Sequence, residues 1–369
     1  MTLTISEITD REQWDNFLIG QPRGHLLQSY EWGELNKYLG GHIYRLGALE
    51  DGRMVGAMML TVSQVPLPVS VPGIRLHWLY SSRGPTVEAP TSPALAALLA
   101  HAHTLARQEH AVVLRLEPNI ADDDPQMDAW IAAYRALGFQ SNPIAVHGRR
   151  SWVLDIRPDD AKLLADFKMT WRQNVRSAER KGVIIREVEN DADFNAYYDL
   201  LKLTSERDAF FIHGKDYHQE ILKQFASKGD AVLYLAEHEG EAIAAKMLIR
   251  FGDWCWDMFG ASSNNKRNLK PTYLLQYRCI QWAKARGCSY FDFRTIPEIL
   301  EPGEEMWGVY EYKKGFGGFS RLNIPTQDYV YRPLIYSAWR NLVEVRRARR
   351  HAERKKVELE RAARSKNEK

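Results

Sequence analysis

The alternation of apolar and polar positions predicts a chain of interleaved strands and helices. Short apolar or alternating segments bounded by turn residues are typical of strands, and longer segments with apolar residues every three to four positions are typical of helices. The predicted strands are residues 43–49, 54–62, 76–81, 111–116, 151–156, 232–237, 242–251, 254–260 and 289–293. The main predicted helices are residues 28–37, 92–109, 167–181 and 272–286, with another from about residue 126. This order indicates the α/β class, with mixed sheets flanked by helices.

The order of predicted elements starts again at about Ala231. A hairpin that turns at Gly240 matches one that turns at Gly52, and a strand, a helix and a buried strand follow in both halves. A repeat of this length indicates a duplicated domain rather than a solenoid. We therefore predict two similar domains, residues 1–157 and 158–335, followed by a tail of residues 336–369.

A basic helix is predicted between the two halves. Arg172, Arg176 and Arg180 are spaced four residues apart, so a helix presents them on one face. Glu179 is the one acidic neighbour within this stretch, and Gly182 is placed to end the helix. The stripe is consistent with a solvated face or with phosphate contact, and the scarcity of acids favours phosphate.

Composition and charge narrow the class of protein. The 369 residues are 45% hydrophobic and 26% charged, no apolar run is long enough for a membrane span, and the N-terminus lacks the pattern of a secretory signal. Three cysteines without C-x-x-C spacing are typical of reduced thiols, so we expect a cytoplasmic protein with no metal site.

The C-terminal tail has a different charge from the body. Residues 341–369 contain 11 Lys or Arg and 5 Asp or Glu, although the whole chain has a net charge of only +3. Such a tail suits contact with RNA or with an anionic membrane surface, or it is a solubilising helix. The sequence leaves these alternatives open.

The stretch from Gly308 to Gly318 contains the most distinctive candidate chemistry. Its letters G-V-Y-E-Y-K-K-G-F-G-G place two lysines between aromatic residues and a glycine-rich turn. Alternation within it predicts an extended segment. A lysine fixed beside an aromatic can direct its charge at a phosphate or at a developing oxyanion, and Lys313 after Tyr312 is that candidate.

Taken together, the duplicated domains, the basic helix and the aromatic-Lys-x-Gly-Phe-Gly turn resemble the Fem aminoacyltransferases. The resemblance covers about residues 5–335 and implies two tandem acetyltransferase-like (GNAT-type) domains. It also implies transfer of an amino acid of the Gly, Ala or Ser type from aminoacyl-tRNA to the stem-peptide amine of a peptidoglycan precursor. That precursor is lipid II or UDP-MurNAc-pentapeptide. It further implies a monomer without a cofactor, because an aminoacyl ester is already activated, and peripheral contact with the inner face of the membrane.

The resemblance also implies site residues. Its essential lysine falls on Lys313, preceded by Tyr312, and its acid at the end of a first-domain strand falls on Glu117. The family basic residue four positions before a tyrosine is His213 here, which is a weaker anion ligand than arginine at neutral pH. The implied substrate-binding set is Gln28, Trp32, Lys37, His213, Lys215, Tyr217 and Phe259, and the implied tRNA-binding set is Arg172, Arg176 and Arg180.

Two alternative functions use the same sequence features. An acyl-CoA-dependent N-acyltransferase shares the fold but requires a glycine-rich pyrophosphate loop, and Lys270 and Pro271 stand where that loop needs a glycine and a free amide. A non-catalytic RNA-binding protein would explain the arginines and the tail but not the duplicated catalytic scaffold. Binding of a cell-wall precursor separates this last alternative from an aminoacyltransferase.

Overall fold

The computed structural model describes residues 2–65, 76–345 and 349. The strands are β1 (Leu3–Glu7), β2 (His42–Glu50), β3 (Arg53–Gln64), β4 (His77–Arg83), β5 (Thr86–Val87), β6 (Ala111–Pro118), β7 (Gln140–Asn142), β8 (Arg150–Asp155), β9 (Ile184–Glu187), β10 (Ala231–His238), β11 (Glu241–Phe251), β12 (Trp254–Ser262), β13 (Tyr290–Thr295), β14 (Phe319–Leu322) and β15 (Thr326–Val330). The helices are α1 (Arg11–Ile19), α2 (Tyr30–Tyr38), α3 (Pro93–Gln108), α4 (Met127–Ala136), α5 (Asp160–Asp166), α6 (Met169–Arg180), α7 (Asp191–Asp208), α8 (Lys215–Ala226), α9 (Pro271–Ala285) and α10 (Trp307–Lys314). Residues 333–345 form one more helical segment.

The strands form two mixed sheets of similar design. Their orders are β1-β2-β3-β4-β6-β15-β7, with β5 paired to β3, and β14-β8-β13-β12-β11-β10-β9. Each sheet has one parallel pair, β4 with β6 and β12 with β13, and the helix between the paired strands makes the crossover that parallel pairing requires. The mixed α/β fold predicted from the sequence is therefore confirmed.

Each sheet contains one strand from the other half of the chain. Strand β8 precedes residue 157 but lies in the second sheet, between β14 and β13, and β15 lies in the first sheet, between β6 and β7. Arg115 on β6 makes two hydrogen bonds to Asp328 on β15, of 2.8 and 2.7 Å. The divisions between the two sheets therefore do not coincide with residues 157 and 335, because an apolar pattern marks a strand without naming its partner.

Local sequence accounts for most helix boundaries. Ser92 accepts a hydrogen bond from the Ala94 amide and Pro93 opens α3, so this helix starts with a capping side chain and a residue suited to its first turn. In α6, Val175 and Ala178 face the second core, whereas Arg176 and Arg180 are exposed and Arg172 is half-buried on the same side of the helix. The predicted helical stripe at residues 172–180 is thus confirmed.

Two local predictions are wrong. The segment that begins at Trp307 is the helix α10, not an extended strand, because Tyr310 packs into the core while Val309 stays exposed. The predicted tail does not begin at residue 336, since Tyr336 and Trp339 are buried against the first sheet and the Tyr336 hydroxyl donates to Asp328 at 2.6 Å. Most of the basic tail lies outside the described residues.

Across the described ranges, no helix combines the length and apolar character needed to cross a bilayer. Within the same ranges, no three His, Cys, Asp or Glu side chains converge as metal ligands would.

Candidate active site

Lys313 lies in the last turn of α10, and two neighbouring helices fix this turn. The Trp171 indole of α6 donates to the Tyr312 carbonyl at 2.9 Å, and the Tyr312 hydroxyl donates to the Thr272 carbonyl at the start of α9 at 2.8 Å. A Cβ on Gly315 would lie 2.3 Å from the Trp171 ring, so glycine is required for the indole to pack there. The backbone that carries Lys313 is therefore held from both sides.

The glycines after α10 turn the chain directly into the second sheet. Gly317 and Gly318 have φ angles of 82° and 96°, in the left-handed region that favours glycine. A Cβ on Gly318 would lie 2.2 Å from the Val153 carbonyl oxygen. The glycine-rich segment thus permits a close backbone approach between α10 and β8.

The Lys313 ammonium has few partners within the protein. Its Nζ donates to the Thr295 carbonyl at the end of β13, at 2.8 Å. Burial lowers the pKa of Lys313 to about 8, and the carboxylates of Asp257 and Asp292 partly oppose that effect. Strands β12 and β13 pair only as far as Trp256 and Asp292, so Lys313 lies where the two strands have separated.

A buried lysine, Lys246, interacts with the half-buried Lys313. The Lys246 ammonium forms an ion pair with Asp257 and donates to the Gln276 side-chain oxygen at 2.5 Å. The Gln276 amide nitrogen is buried and has no hydrogen-bond partner in the described structure. Lys246 therefore belongs both to the group of charges around Lys313 and to the wall of the cleft described next.

A cleft of about 580 Å³ opens between β12 and the start of α9. Arg207, Arg267 and Lys270 lie along it, and Lys246 and Tyr312 contribute to its inner wall. The amino terminus of α9 opens into the same space, which adds the partial positive charge of a helix start. The cleft is therefore suited to an anionic ligand such as a phosphate-bearing molecule.

The C-terminal end of α6 lies beside the turn that borders this cleft. Lys181, just after α6, donates to the Asn268 carbonyl at 2.9 Å, within the turn that supplies Arg267 and Lys270. Arg176 and Arg180 are exposed, but the Arg172 guanidinium donates to the carbonyls of Ala165 and Phe167. Two of the three predicted tRNA-binding arginines are thus exposed and free to contact a ligand. Arg172 instead satisfies backbone carbonyls at the C-terminal end of α5.

Three predicted substrate residues form one aromatic cluster. The His213 and Tyr217 rings are stacked with centroids 4.0 Å apart, and Tyr217 meets Phe259 at 6.3 Å. His218, which the sequence analysis did not select, packs on Phe259 at 4.5 Å. Burial lowers the pKa of His213, so this side chain is uncharged at neutral pH. Lys215 lies apart from the cluster, over Phe194 at 6.0 Å.

The residues predicted near the N-terminus occupy different environments. Gln28 is completely buried, where its amide donates to the Ser82 carbonyl at 2.6 Å and accepts from the Met59 amide at 2.8 Å. The geometry supports a structural role for Gln28 rather than the predicted contact with substrate, because its side chain joins β3 to β4 inside the core. Trp32 packs against Phe225 of the second half at 6.5 Å, and Lys37 pairs with Glu34 at 3.0 Å on the surface.

Glu117 is held by hydrogen bonds within the first domain. Its carboxylate accepts from the Tyr80 hydroxyl at 2.6 Å and from the amides of Val146 and His147 at 2.5 and 3.1 Å. The residue is 4% exposed. A carboxylate occupied in this way fixes the loop that leads to β8, so the geometry supports a structural role rather than the predicted contact with the amine.

The structure also adds two arginines that the sequence analysis did not select. Arg83 ends β4 and Arg294 lies near the end of β13, and both have left-handed backbone conformations, with φ angles of 58° and 64°. The available signal was an arginine directly after an apolar strand in S-S-R-G-P and F-D-F-R-T. That these two residues, one from each half of the chain, come close together depends on the tertiary structure. A local sequence pattern does not contain that information.

Comparison with known proteins connects this chain to one family. The sequence profile of the FemAB family matches residues 9–241 and 236–343. The chain is similar to the lipid II:glycine glycyltransferase of Staphylococcus aureus strain USA300, with 25% identity, covering 89% of this chain and 93% of that protein. A crystal structure of FemX superposes with a TM-score of 0.81 at 22% identity, covering 92% of this chain and 99% of FemX. A tandem GNAT protein from the clavulanic acid biosynthesis pathway superposes with a TM-score of 0.53 at 14% identity, covering 89% and 98% of the two chains.

Proposed function

Because the chain belongs to the FemAB family, we propose that it transfers an amino acid from aminoacyl-tRNA to the stem-peptide amine of a peptidoglycan precursor. The similarity to a lipid II:glycine glycyltransferase supports a precursor of this class as the acceptor. The donated residue is of the Gly, Ala or Ser type. The reaction takes place in the cytoplasm, where charged tRNA is available, with a lipid-linked precursor at the inner membrane face or with a soluble one.

The single observation that carries this proposal is the position of Lys313. The preceding residue, Tyr312, lines a cleft bordered by Arg207, Arg267 and Lys270. The charge of Lys313 also interacts with Lys246, on the inner wall of that cleft, and with Arg294. The basic border and the adjoining face of α6 suit the phosphates at the 3′ end of a tRNA. The Tyr217–Phe259 cluster would hold the precursor on the other side of Lys313.

The proposed reaction is one direct transfer. The unprotonated amine of the third stem-peptide residue attacks the ester carbonyl, the C–N bond forms, and the bond from carbonyl carbon to ribose oxygen breaks. The amine loses a proton and the ribose oxygen gains one. Lys313 stabilises the negative charge on the carbonyl oxygen or the adjacent phosphate. With a pKa of about 8, it can also donate the proton that the leaving oxygen requires.

The structure favours this donor over acyl-CoA. At the start of α9, Lys270 takes a left-handed conformation and Pro271 occupies the first helical position, so this turn lacks the glycine and the free amide of a pyrophosphate loop. The charged groups around Lys313 likewise exceed what RNA binding alone requires.

A transfer assay tests the proposal. The protein is incubated with tRNAs charged with glycine, alanine or serine and with either lipid II or UDP-MurNAc-pentapeptide, and the acceptor is examined by mass spectrometry. We expect the acceptor mass to increase by one aminoacyl residue, and parallel reactions with acetyl-CoA to give no product. Acetylation of the acceptor, or RNA binding without any modified precursor, would contradict the proposal.

A further inference from the structure

Arg83 is unusual among the buried arginines of the described chain. Three arginines are buried there, and two have carboxylate partners: Arg45 with Glu34 at 2.7 Å and Arg115 with Asp328 at 2.7 Å. Arg83 is 8% exposed, and its hydrogen bond is to the Gly148 carbonyl at 2.9 Å. A buried guanidinium without a carboxylate carries an uncompensated desolvation cost, and a bound anion would offset it.

Arg294, from the second half of the chain, is half-buried and also lacks a carboxylate partner among the described residues. Its guanidinium contacts the Met258 sulfur at 2.9 Å, and no carboxylate in the described structure lies within salt-bridge distance. The nearby carboxylate, Asp292, accepts from the Arg294 backbone amide at 2.6 Å and not from its side chain. Burial lowers the pKa of the Arg294 guanidinium, which reflects a charge held away from water.

A chain of contacts brings the two arginines together between the two halves. Arg83 donates to the Gly148 carbonyl at 2.9 Å, and a Cβ on Gly148 would lie 2.2 Å from the side chain of Thr295, the residue after Arg294. Burial lowers the pKa of His147 to about 3, and the charges of Arg83 and Arg294 lower it further. The pKa of His25 is also lowered, first by burial and then by the charges of Arg83 and Arg294. Both imidazoles are therefore neutral. The carboxylate of Asp292 interacts with both arginines, and that of Asp257, which also acts on Arg294, already forms an ion pair with Lys246.

The position of Arg294 connects this cationic pair to the reaction. Arg294 directly precedes Thr295, whose carbonyl accepts the Lys313 ammonium at 2.8 Å. Its charge also interacts with Tyr217, in the aromatic cluster assigned above to the precursor. An anion bound at Arg294 would therefore lie between the precursor cluster and the transfer site.

We infer that Arg83 and Arg294 form a carboxylate-binding site for the free C-terminus of the acceptor stem peptide. This inference rests on the proposed function for the identity of the ligand. The amine that reacts is on the side chain of the third residue of a pentapeptide, and two extended residues span at most about 7 Å from the backbone of that residue to the terminal carboxylate. The precursor diphosphate is farther from that amine, since two residues, the lactyl group and the sugar lie between. Two guanidinium groups also match the planar geometry of a carboxylate.

The experiment compares two acceptors that differ only at the C-terminus. UDP-MurNAc-pentapeptide and its C-terminal amide are titrated into the wild-type protein by calorimetry, and both are used as acceptors to measure KM and kcat. We expect the free acid to bind about 10- to 100-fold more tightly than the amide, because the amide cannot form a charge-assisted bidentate hydrogen bond with a guanidinium. The difference should appear in KM rather than in kcat.

Variants assign that difference to the arginines. Arg294→Gln should bind the acid and the amide equally, Arg294→Lys should keep part of the preference, and the exposed control Arg135→Gln should keep all of it. Melting temperature and tRNA binding verify that each variant is folded. Arg83→Gln provides an independent second test from the other half of the chain.

Three outcomes would overturn the inference. If the wild type binds acid and amide equally while still transferring an amino acid, the carboxylate site is wrong and the proposed function stands. If Arg294→Gln weakens both acceptors alike, the arginines bind the diphosphate instead. If the wild type binds neither acceptor, the proposed function fails together with this site.

Discussion

Replacing Lys313 with methionine should make the protein more stable and nearly inactive. Methionine fills a similar volume without charge or donor. The perturbation therefore removes the ammonium that we assign to the transfer step while leaving α10 and its packing in place. Lys314→Met is the matched control, because Lys314 lies in the same turn of α10 but is exposed.

The size of the stability change follows from the lysine's environment. Burial lowers the pKa of Lys313 from 10.5 to about 8, and one pKa unit corresponds to about 1.4 kcal/mol. Holding the charged form in the folded protein at pH 7 therefore costs about 3 kcal/mol. Loss of the hydrogen bond to the Thr295 carbonyl offsets about 1 kcal/mol of this. We expect Lys313→Met to raise the free energy of unfolding by about 2 kcal/mol at pH 7.

The stability difference between Lys313→Met and the wild type should depend on pH in one direction. A change in packing alone would give a difference that does not depend on pH. Between pH 8 and pH 10.5 the unfolded wild type binds the lysine proton more than the folded wild type does, so wild-type stability rises with pH. The variant lacks this titration, and its advantage should shrink through the same window. Urea denaturation at pH 7, 8, 9 and 10 measures both effects.

Activity provides the second half of the test. Loss of one donor to a developing oxyanion typically reduces turnover about 10²- to 10³-fold. The transfer rate of Lys313→Met should therefore fall by about this factor, while its affinity for the precursor stays normal. Equal stability of variant and wild type at pH 7, or transfer at the wild-type rate, would refute the reasoning. Lys314→Met should change neither quantity.

Two further predictions concern residues that the sequence selected for function. Replacing Arg176 and Arg180 together with Gln should weaken tRNA binding and reduce its salt slope by about 0.7–0.9 for each phosphate that the variant no longer neutralises. Arg172→Gln should instead lower stability by about 1 kcal/mol, because its guanidinium binds two backbone carbonyls. Filter binding at several salt concentrations and urea denaturation separate these outcomes, and an unchanged slope would leave α6 as a solvated face. Glu117→Gln should lower stability by about 1–3 kcal/mol, because one carboxylate oxygen becomes an amide nitrogen that faces the N–H donor of either Val146 or His147. The KM for the acceptor should not change, and a loss of turnover at unchanged stability would instead restore Glu117 to the chemistry.

The sequence predicted the elements better than their partners. The 3.6-residue spacing of Arg172, Arg176 and Arg180 predicts a helix face, and that face is present, because periodicity depends on local backbone geometry. The alternation at residues 309–312 indicated a strand and was wrong, since so short a pattern does not distinguish a strand from one turn of helix. In the same way, residues 151–156 were correctly predicted as a strand, but their membership of the second sheet depends on tertiary pairing that no local pattern records.

The site shows the same division between local and tertiary information. Lys313 stands out in sequence because aromatics and glycines surround it, and the structure shows why: Trp171 packs where Gly315 has no side chain. Gln28 was chosen by resemblance and is completely buried, since a letter pattern does not say which way a side chain points. Arg83 and Arg294 are far apart in the chain, and only the folded structure reveals that each lacks a carboxylate partner.

The exchange of strands between the two sheets determines when the protein can fold during synthesis. Strand β15 lies inside the first sheet, between β6 and β7, yet it is among the last strands to leave the ribosome. The first two hundred residues therefore emerge with an open sheet edge at β6, which a chaperone or the nascent chain itself must cover until residue 330 appears. Cutting the gene at the centre would yield two fragments that each lack an interior strand, so neither half of this duplicated protein can mature alone.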